Sequence, residues 1–87
     1  MVNIAFRVDG GKDIGMGHIM RSMALANNLK KDENNEEVFH ITRNNDTAVN
    51  KLKENNFEVV AIDKNLSYKK EIKKVKEIIN KREVNKY

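Results

Sequence analysis

Apolar residues along the chain alternate between short runs typical of buried strands and longer stretches with helical spacing. The short runs predict three strands, at 2–8, 37–42 and 57–62. Between and after them, apolar positions recur every three or four residues, which predicts three helices: 18–31, 46–55 and one that begins after Ser67. The pattern therefore predicts the order βαβαβα.

Polar residues mark where two of these helices begin. Asn45 or Asp46 can cap the second helix, and Ser67 can cap the third, because their side chains accept hydrogen bonds from free backbone N–H groups. In the third helix we expect one apolar stripe to face the core, with lysines on the other face. The stripe consists of Tyr68, Ile72, Val75 and Ile79.

Alternating strands and helices predict right-handed crossovers and a parallel sheet, here an α/β, three-layer, Rossmann-like sheet with strand order 3-2-1. In such a sheet a fourth strand returns to pair with the first. The sequence ends before any fourth strand, so we expect residues 1–87 to be the partial amino-terminal half of a larger domain. Strand 2–8 should then be an open apolar edge, through which we expect the chain to self-associate.

Charge is distributed unevenly along the 87 residues, whose net charge is +4. Residues 1–63 have a balance of −2 and residues 64–87 a balance of +6, so the excess lies in the last predicted helix. A surface that follows nucleic acid would combine these lysines with aromatic residues or arginines, which are few here. We therefore interpret the basic segment as a solvated helix face and expect no nucleic-acid partner.

Other classes are excluded by composition. The chain has no cysteine and two isolated histidines, so we expect no disulfide, no metal site and no cofactor. No apolar run approaches the ~20 residues that span a bilayer, and the first residues do not resemble a signal peptide. We expect no membrane association and a cytoplasmic location.

All four glycines lie in one loop between the first strand and the first helix, at positions 10, 11, 15 and 17. Glycines allow a tight turn and a close approach of the backbone to a ligand, and a helix N-terminus favours anions. The loop lacks the Gly-Lys-Ser/Thr ending of a P-loop. It also has Met20 where the dinucleotide-binding pattern requires glycine or alanine.

The loop belongs to a longer motif, Arg7-x-Asp9-Gly10-Gly11-x-x-Ile14-Gly15-x-Gly17-His18-x-x-Arg21-Ser22. This motif resembles the opening of the nucleotide-sugar hydrolases of the PseG/SpsG family, which act in pseudaminic acid and spore-coat polysaccharide synthesis. Gly15-Met16-Gly17-His18 is also similar to the Gly-Gly-His loop of the lipid II N-acetylglucosaminyltransferase. The resemblance implies a glycosyltransferase-B (GT-B) fold. It also implies a second, nucleotide-binding domain that is absent from this chain.

The resemblance further implies that His18 is the catalytic base and activates water at the anomeric carbon of a UDP-linked sugar. We expect Gly15 and Gly17 to form a backbone cradle, with Gly10 and Gly11 as further substrate-binding residues. Asp9 is a candidate to orient the base or to bind a sugar hydroxyl, and Arg21 to bind a phosphate or a carboxylate. An imidazole that is neutral near pH 7 can accept a proton from water. We expect the chain alone to be inactive and the activity to belong to a longer parent protein.

Each candidate residue also has a structural interpretation. His18 could be a surface group at a helix start, Arg21 could pair with Asp9 or Asp13, and the aspartates could only form turns. We interpret His40, which lies within an apolar strand, as a structural residue.

Two other functions remain open. The parent could be a glycosyltransferase of the same fold, or the chain could be a non-catalytic α/β module that binds a partner through its edge strand.

Overall fold

The computed structural model describes residues 2–87, apart from the Glu36 side chain, and consists of alternating strands and helices. The elements are β1 (Val2–Arg7), α1 (Gly17–Lys30), β2 (Asn35–Arg43), α2 (Asp46–Glu54), β3 (Glu58–Ile62) and α3 (Tyr68–Lys81). Every element expected from the apolar pattern is present, and the bounds differ by two residues at most. Asn45 and Ser67 cap α2 and α3 with their side chains, as expected.

The three strands form a parallel sheet in the order β1-β2-β3, which confirms the α/β prediction with strand order 3-2-1. In the register of the central strand, Phe39 lies beside Ala5, and Ile41 lies beside Val60. Because the strands are parallel, the loops that follow β1, β2 and β3 all emerge at the same edge of the sheet. This carboxyl edge is where ligands bind in open α/β sheets.

Helices cover both faces of the sheet, so the chain has three layers and a Rossmann-like fold. One core lies between the sheet and the pair α1 and α2, and it is built around Ile4, Ile19, Met23, Ala26, Val38, Ala48, Leu52 and Phe57. The second core lies between the sheet and α3, and it contains Ala5, Phe39, Ile41, Ile62, Val75 and Ile78. Among the described residues, no helix is both long enough and apolar enough to cross a bilayer.

Only the second half of the stripe expected in α3 faces the sheet: Val75 is buried and Ile79 packs against the core. Tyr68 and Ile72 are 76% and 38% exposed, so the prediction that they face the core was wrong. The buried residues are Val75 and Ile78, and Glu71 and Arg82 continue their row at helical spacing toward the two ends. The row that faces the sheet is displaced from the expected one by roughly half the angle between successive residues, and its two ends form ion pairs with residues of other elements.

The open edge of β1 is partly covered, which differs from the expectation of an edge exposed along its whole length. Lys86 forms a parallel bridge with Ile4: the Ala5 N–H donates to the Lys86 carbonyl at 2.9 Å. The Asn3 side-chain amide also binds the chain after α3, because it donates hydrogen bonds to the carbonyls of Arg82 and Glu83. Because Glu83 has a left-handed backbone (φ 52), the chain turns back toward β1 after α3.

Candidate functional site

The loop between β1 and α1 closes on itself at the carboxyl edge of the sheet. The Gly11 N–H donates to the Gly15 carbonyl at 3.1 Å, so the two glycines face each other across a narrow turn. Gly15 has a φ of +79°, a conformation that residues with side chains rarely adopt. The turn therefore requires glycine at this position and delivers the chain directly into α1.

The structural reason for glycine differs among the four loop positions. A Cβ on Gly10 would lie 2.5 Å from Cγ1 of Ile19, and one on Gly11 would lie 2.7 Å from the Asn45 side-chain nitrogen. Both positions are thus closed by packing. Gly17 is neither crowded nor in a left-handed conformation, and a Cβ there would meet nothing within 4 Å. The fold itself does not require glycine at Gly17.

The start of α1 differs from the starts of the other two helices. Met16 occupies the N-cap position and provides no side-chain hydrogen bond, and the first turn of α1 contains no acidic residue. In contrast, α2 and α3 each have a side-chain cap and an acidic residue in the first turn. The first N–H groups of α1 and the positive end of its dipole are consequently not offset by a side-chain cap or by an acidic residue of the first turn.

His18 and Arg21 extend from this uncapped end into solvent. Both side chains are exposed, and their spacing of three residues makes them neighbours on the helix surface. Within the described part of the chain, neither forms a hydrogen bond or ion pair, so the pairing of Arg21 with Asp9 or Asp13 is not formed. A ligand at the helix start could therefore contact both side chains.

Asp9 is held in an ion-pair network behind the loop and makes no contact with His18. Its carboxylate accepts two hydrogen bonds from the Arg7 guanidinium, at 2.7 and 3.0 Å, and a third from the Arg43 backbone N–H at 2.9 Å. Burial alone would raise the pKa of Asp9, but these three bonds lower it below its ordinary value. In this arrangement Asp9 fixes the first residues of the loop to β2.

Glu71 joins the same network from α3. It accepts from Arg7 at 2.8 Å and from two nitrogens of Arg43 at 2.9 and 2.6 Å. The hydrogen bond from Arg7 is the main reason that the pKa of Glu71 lies below its ordinary value, and the bond from Arg43 lowers it further. The network therefore joins the carboxyl ends of β1 and β2 to the first turn of α3.

A crevice of about 710 Å³ lies at the carboxyl edge, between the loops that follow the three strands. The residues that line it are all of polar types: Lys12, Asp13, Asn44, Asn45, Asp46, Thr47, Asp63 and Lys64. Of the crevice residues that follow β2 and β3, only Asn45 and Asp46 had a predicted role, as candidate caps of α2. The signal available in the sequence was their position: each group directly follows an apolar strand run.

His40 is completely buried in the central strand, three residues before the end of β2 at Arg43. Its ring stacks on Phe6 and meets the edge of Phe57, with ring centroids 5.3 and 4.9 Å away. Ser22 donates its hydroxyl proton to the Ile19 carbonyl, so the Ser22 oxygen accepts from His40 Nε2 at 3.1 Å and the buried Nδ1 has no partner. Burial lowers the pKa of His40 to about 4, with a smaller contribution from Lys30.

The described residues contain no group of three or more side chains suited to hold a metal ion. What the carboxyl edge offers is therefore backbone N–H groups at the start of α1, the exposed imidazole and guanidinium beside them, and the polar crevice. Such an arrangement suits an anionic ligand with hydrogen-bonding groups.

Comparison with known proteins identifies a relative of this chain in an archaeon. The chain is similar to the uncharacterized protein MJ1062 of Methanocaldococcus jannaschii, with 37% identity over 75 residues. The match covers 86% of the chain but 15% of the length of that protein. No protein-family model matches the chain, and no solved structure matches it significantly. The similarity thus covers nearly the whole chain but indicates no activity.

Proposed function

We propose that this chain is the amino-terminal portion of an enzyme that hydrolyses a UDP-linked sugar, and that the start of α1 is its reaction site. In this proposal the N–H groups at the helix start face the diphosphate, His18 acts as the base and Arg21 contacts a phosphate. The sugar would lie toward the polar crevice at the carboxyl edge. The complete enzyme would use a GT-B fold, with most of the nucleotide bound by a second domain.

The observation that carries the proposal is the open space at Gly17. Gly10, Gly11 and Gly15 are explained by packing or by backbone conformation, whereas neither explains glycine at Gly17. A ligand that approaches the uncapped helix start would explain the missing side chain. The resemblance of the loop motif to nucleotide-sugar hydrolases points to the same ligand.

The chemistry requires one proton acceptor and stabilisation of one developing charge. His18 removes a proton from water while the water oxygen forms a bond to the anomeric carbon. The bond from that carbon to the diphosphate oxygen breaks, and UDP leaves with the electron pair. The dipole of α1 and its free N–H groups would stabilise the negative charge that develops on the leaving group.

Titration of the chain with UDP-N-acetylglucosamine, followed by amide NMR, tests this proposal. Amide signals of residues 15–19 should shift as the ligand reaches millimolar concentrations. Gly17→Ala should reduce the affinity about tenfold or more, because a Cβ would occupy the space left for the ligand. The same substitution should leave the free energy of unfolding unchanged or slightly higher.

Asn27→Ala is the matched control, because it also replaces an exposed residue of α1 with alanine but lies away from the loop. It should change neither the affinity nor the shifts. Equal binding by Gly17→Ala and Asn27→Ala, or the absence of any shift in residues 15–19, would contradict the proposed site.

The reaction itself is tested in a longer protein that contains this segment. UDP and free sugar formed from the UDP-sugar alone indicate hydrolysis. Product formation only after an acceptor is added indicates a glycosyltransferase. His18→Ala should abolish either reaction, and full activity of that variant would favour the non-catalytic module.

A further inference from the structure

The first turn of α1 is joined to the central strand by a buried chain of hydrogen bonds. His40 Nε2 donates to the Ser22 hydroxyl oxygen at 3.1 Å, and that hydroxyl donates to the Ile19 carbonyl at 3.0 Å. Ser22 is buried, and His40 and Ile19 are completely so. Because Ile19 lies in the first turn of α1, the chain of bonds connects β2 to the start of the helix.

The His40 ring is itself held in place from two sides. Phe6 of β1 stacks on the ring, and Phe57, which directly precedes β3, meets it with its edge. Nδ1 is buried and has no partner in the described part of the chain, so Nε2 carries the hydrogen bond of this side chain. A ring fixed in this way directs its N–H at one point on α1, the Ser22 oxygen.

Apolar residues hold the rest of the buried face of α1 against the sheet. Their contacts have no preferred direction, so they resist rotation of a helix about its axis less than a hydrogen bond does. The N-cap residue Met16 adds no side-chain hydrogen bond. Lys30 donates to the Asn56 carbonyl, but it lies at the opposite end of α1. Near its start, the rotation of α1 is therefore fixed by the bond between Ser22 and His40.

The rotation of α1 decides where the imidazole of His18 points. Ser22 follows His18 by four residues, so the two side chains are neighbours along the helix. A rotation of about 10° would move a group at the helix surface by roughly 1 Å. We propose that Ser22 and His40 are positioning residues: their hydrogen bond sets the rotation of α1 and thereby the direction of His18. This role rests on the proposed function, since it requires a ligand at the start of α1.

A double variant separates positioning from stability. Ser22→Ala alone leaves the N–H of His40 buried without a partner, whereas Ser22→Ala with His40→Phe replaces both partners by apolar groups and loses less stability. The double variant should bind UDP-N-acetylglucosamine about fivefold or more weakly than wild type in the amide NMR titration. The signals of folded molecules report this affinity, so a loss of stability alone does not change it.

His40→Gln is the conservative control, because its side-chain amide keeps an N–H for the Ser22 oxygen. Its affinity should remain within about twofold of wild type. A folded double variant that binds as tightly as wild type would overturn the positioning role and leave the proposed function intact. Binding by His40→Gln as weak as that of the double variant would also overturn the role. The absence of shifts in residues 15–19 of wild type would instead remove the proposed function, and this role with it.

The direction of the bonds is tested without any variant. If His40 donates to Ser22, its neutral ring carries the proton on Nε2, and ¹⁵N NMR of the imidazole identifies this tautomer. The Nε2–H form at neutral pH is the expected result. A proton on Nδ1 would reverse the bond and take the Ser22 proton away from the Ile19 carbonyl. That result would overturn the proposal even if the double variant failed to fold.

Discussion

Acidification should weaken this fold well before its carboxylates are protonated, because His40 is buried in the neutral form. The pKa of His40 is about 4 in the folded chain, against 6.5 for an unperturbed histidine. Between these values the unfolded chain binds more protons than the folded chain, so the free energy of unfolding falls as the pH falls from 6.5 toward 4. Nδ1 has no partner that could stabilise the charged ring.

The magnitude follows from the two pKa values. One unit corresponds to about 1.4 kcal/mol, so the full loss below pH 4 is about 3 kcal/mol. At about pH 5.5 the linkage relation gives a loss of about 1.4 kcal/mol relative to neutral pH. Asp9 and Glu71, whose pKa values are lowered from 3.8 and 4.5, add their own loss only at lower pH. Between about pH 7.5 and 5.5, the change in the free energy of unfolding therefore comes from the buried histidine rather than from these carboxylates.

Urea unfolding at several pH values in this window, followed by circular dichroism, measures the effect. His40→Leu should remove most of the pH dependence whatever its effect on stability at neutral pH. His18→Gln, which removes the other histidine of the chain, should retain it. A slope that is the same in wild type and His40→Leu, or a loss below about 0.5 kcal/mol by pH 5.5, would refute this reasoning.

Two ion-pair clusters allow further predictions, each checked by urea unfolding at neutral pH. Glu71→Gln should lower the free energy of unfolding by about 2 kcal/mol, because the largely buried Arg7 and the Arg43 side chain lose the carboxylate that they share. The same change at the exposed Glu77 should leave the free energy of unfolding almost unchanged. Arg82→Met should cost about 1 kcal/mol, since it keeps an apolar side chain near Phe39 but loses two carboxylate partners. A cost as small as that of Lys81→Met would contradict this account.

Apolar periodicity was sufficient to predict the elements and their order, because each strand run and each helical stripe buries its own apolar face. It was not sufficient for the orientation of α3. Counting apolar residues favoured Tyr68 and Ile72, whereas Glu71 and Arg82 face the sheet and bind partners on other elements. Those partners are distant in sequence, so no local pattern reveals them.

The candidate site shows the same limit. The glycine loop could be identified from its position between a strand and a helix, and the four glycines looked equivalent. Only the packing distinguishes Gly10, which Ile19 crowds, from Gly17, which nothing crowds. The crevice residues after β2 and β3 carry no signal of a site in the sequence, because asparagine and aspartate after a strand are ordinary turn and cap residues.

Two groups of ionisable residues next to the glycine loop differ in their contacts. Arg7, Asp9, Arg43 and Glu71 satisfy one another and join β1, β2 and α3 directly behind the glycine loop. His18 and Arg21 lie in front of the loop, are exposed and bind no described residue. The hydrogen bonds of this network fix the ends of β1 and β2 where the loop begins. The proposed site therefore consists of a loop held in place by ion pairs and of two exposed side chains, His18 and Arg21, that a ligand would have to order on binding.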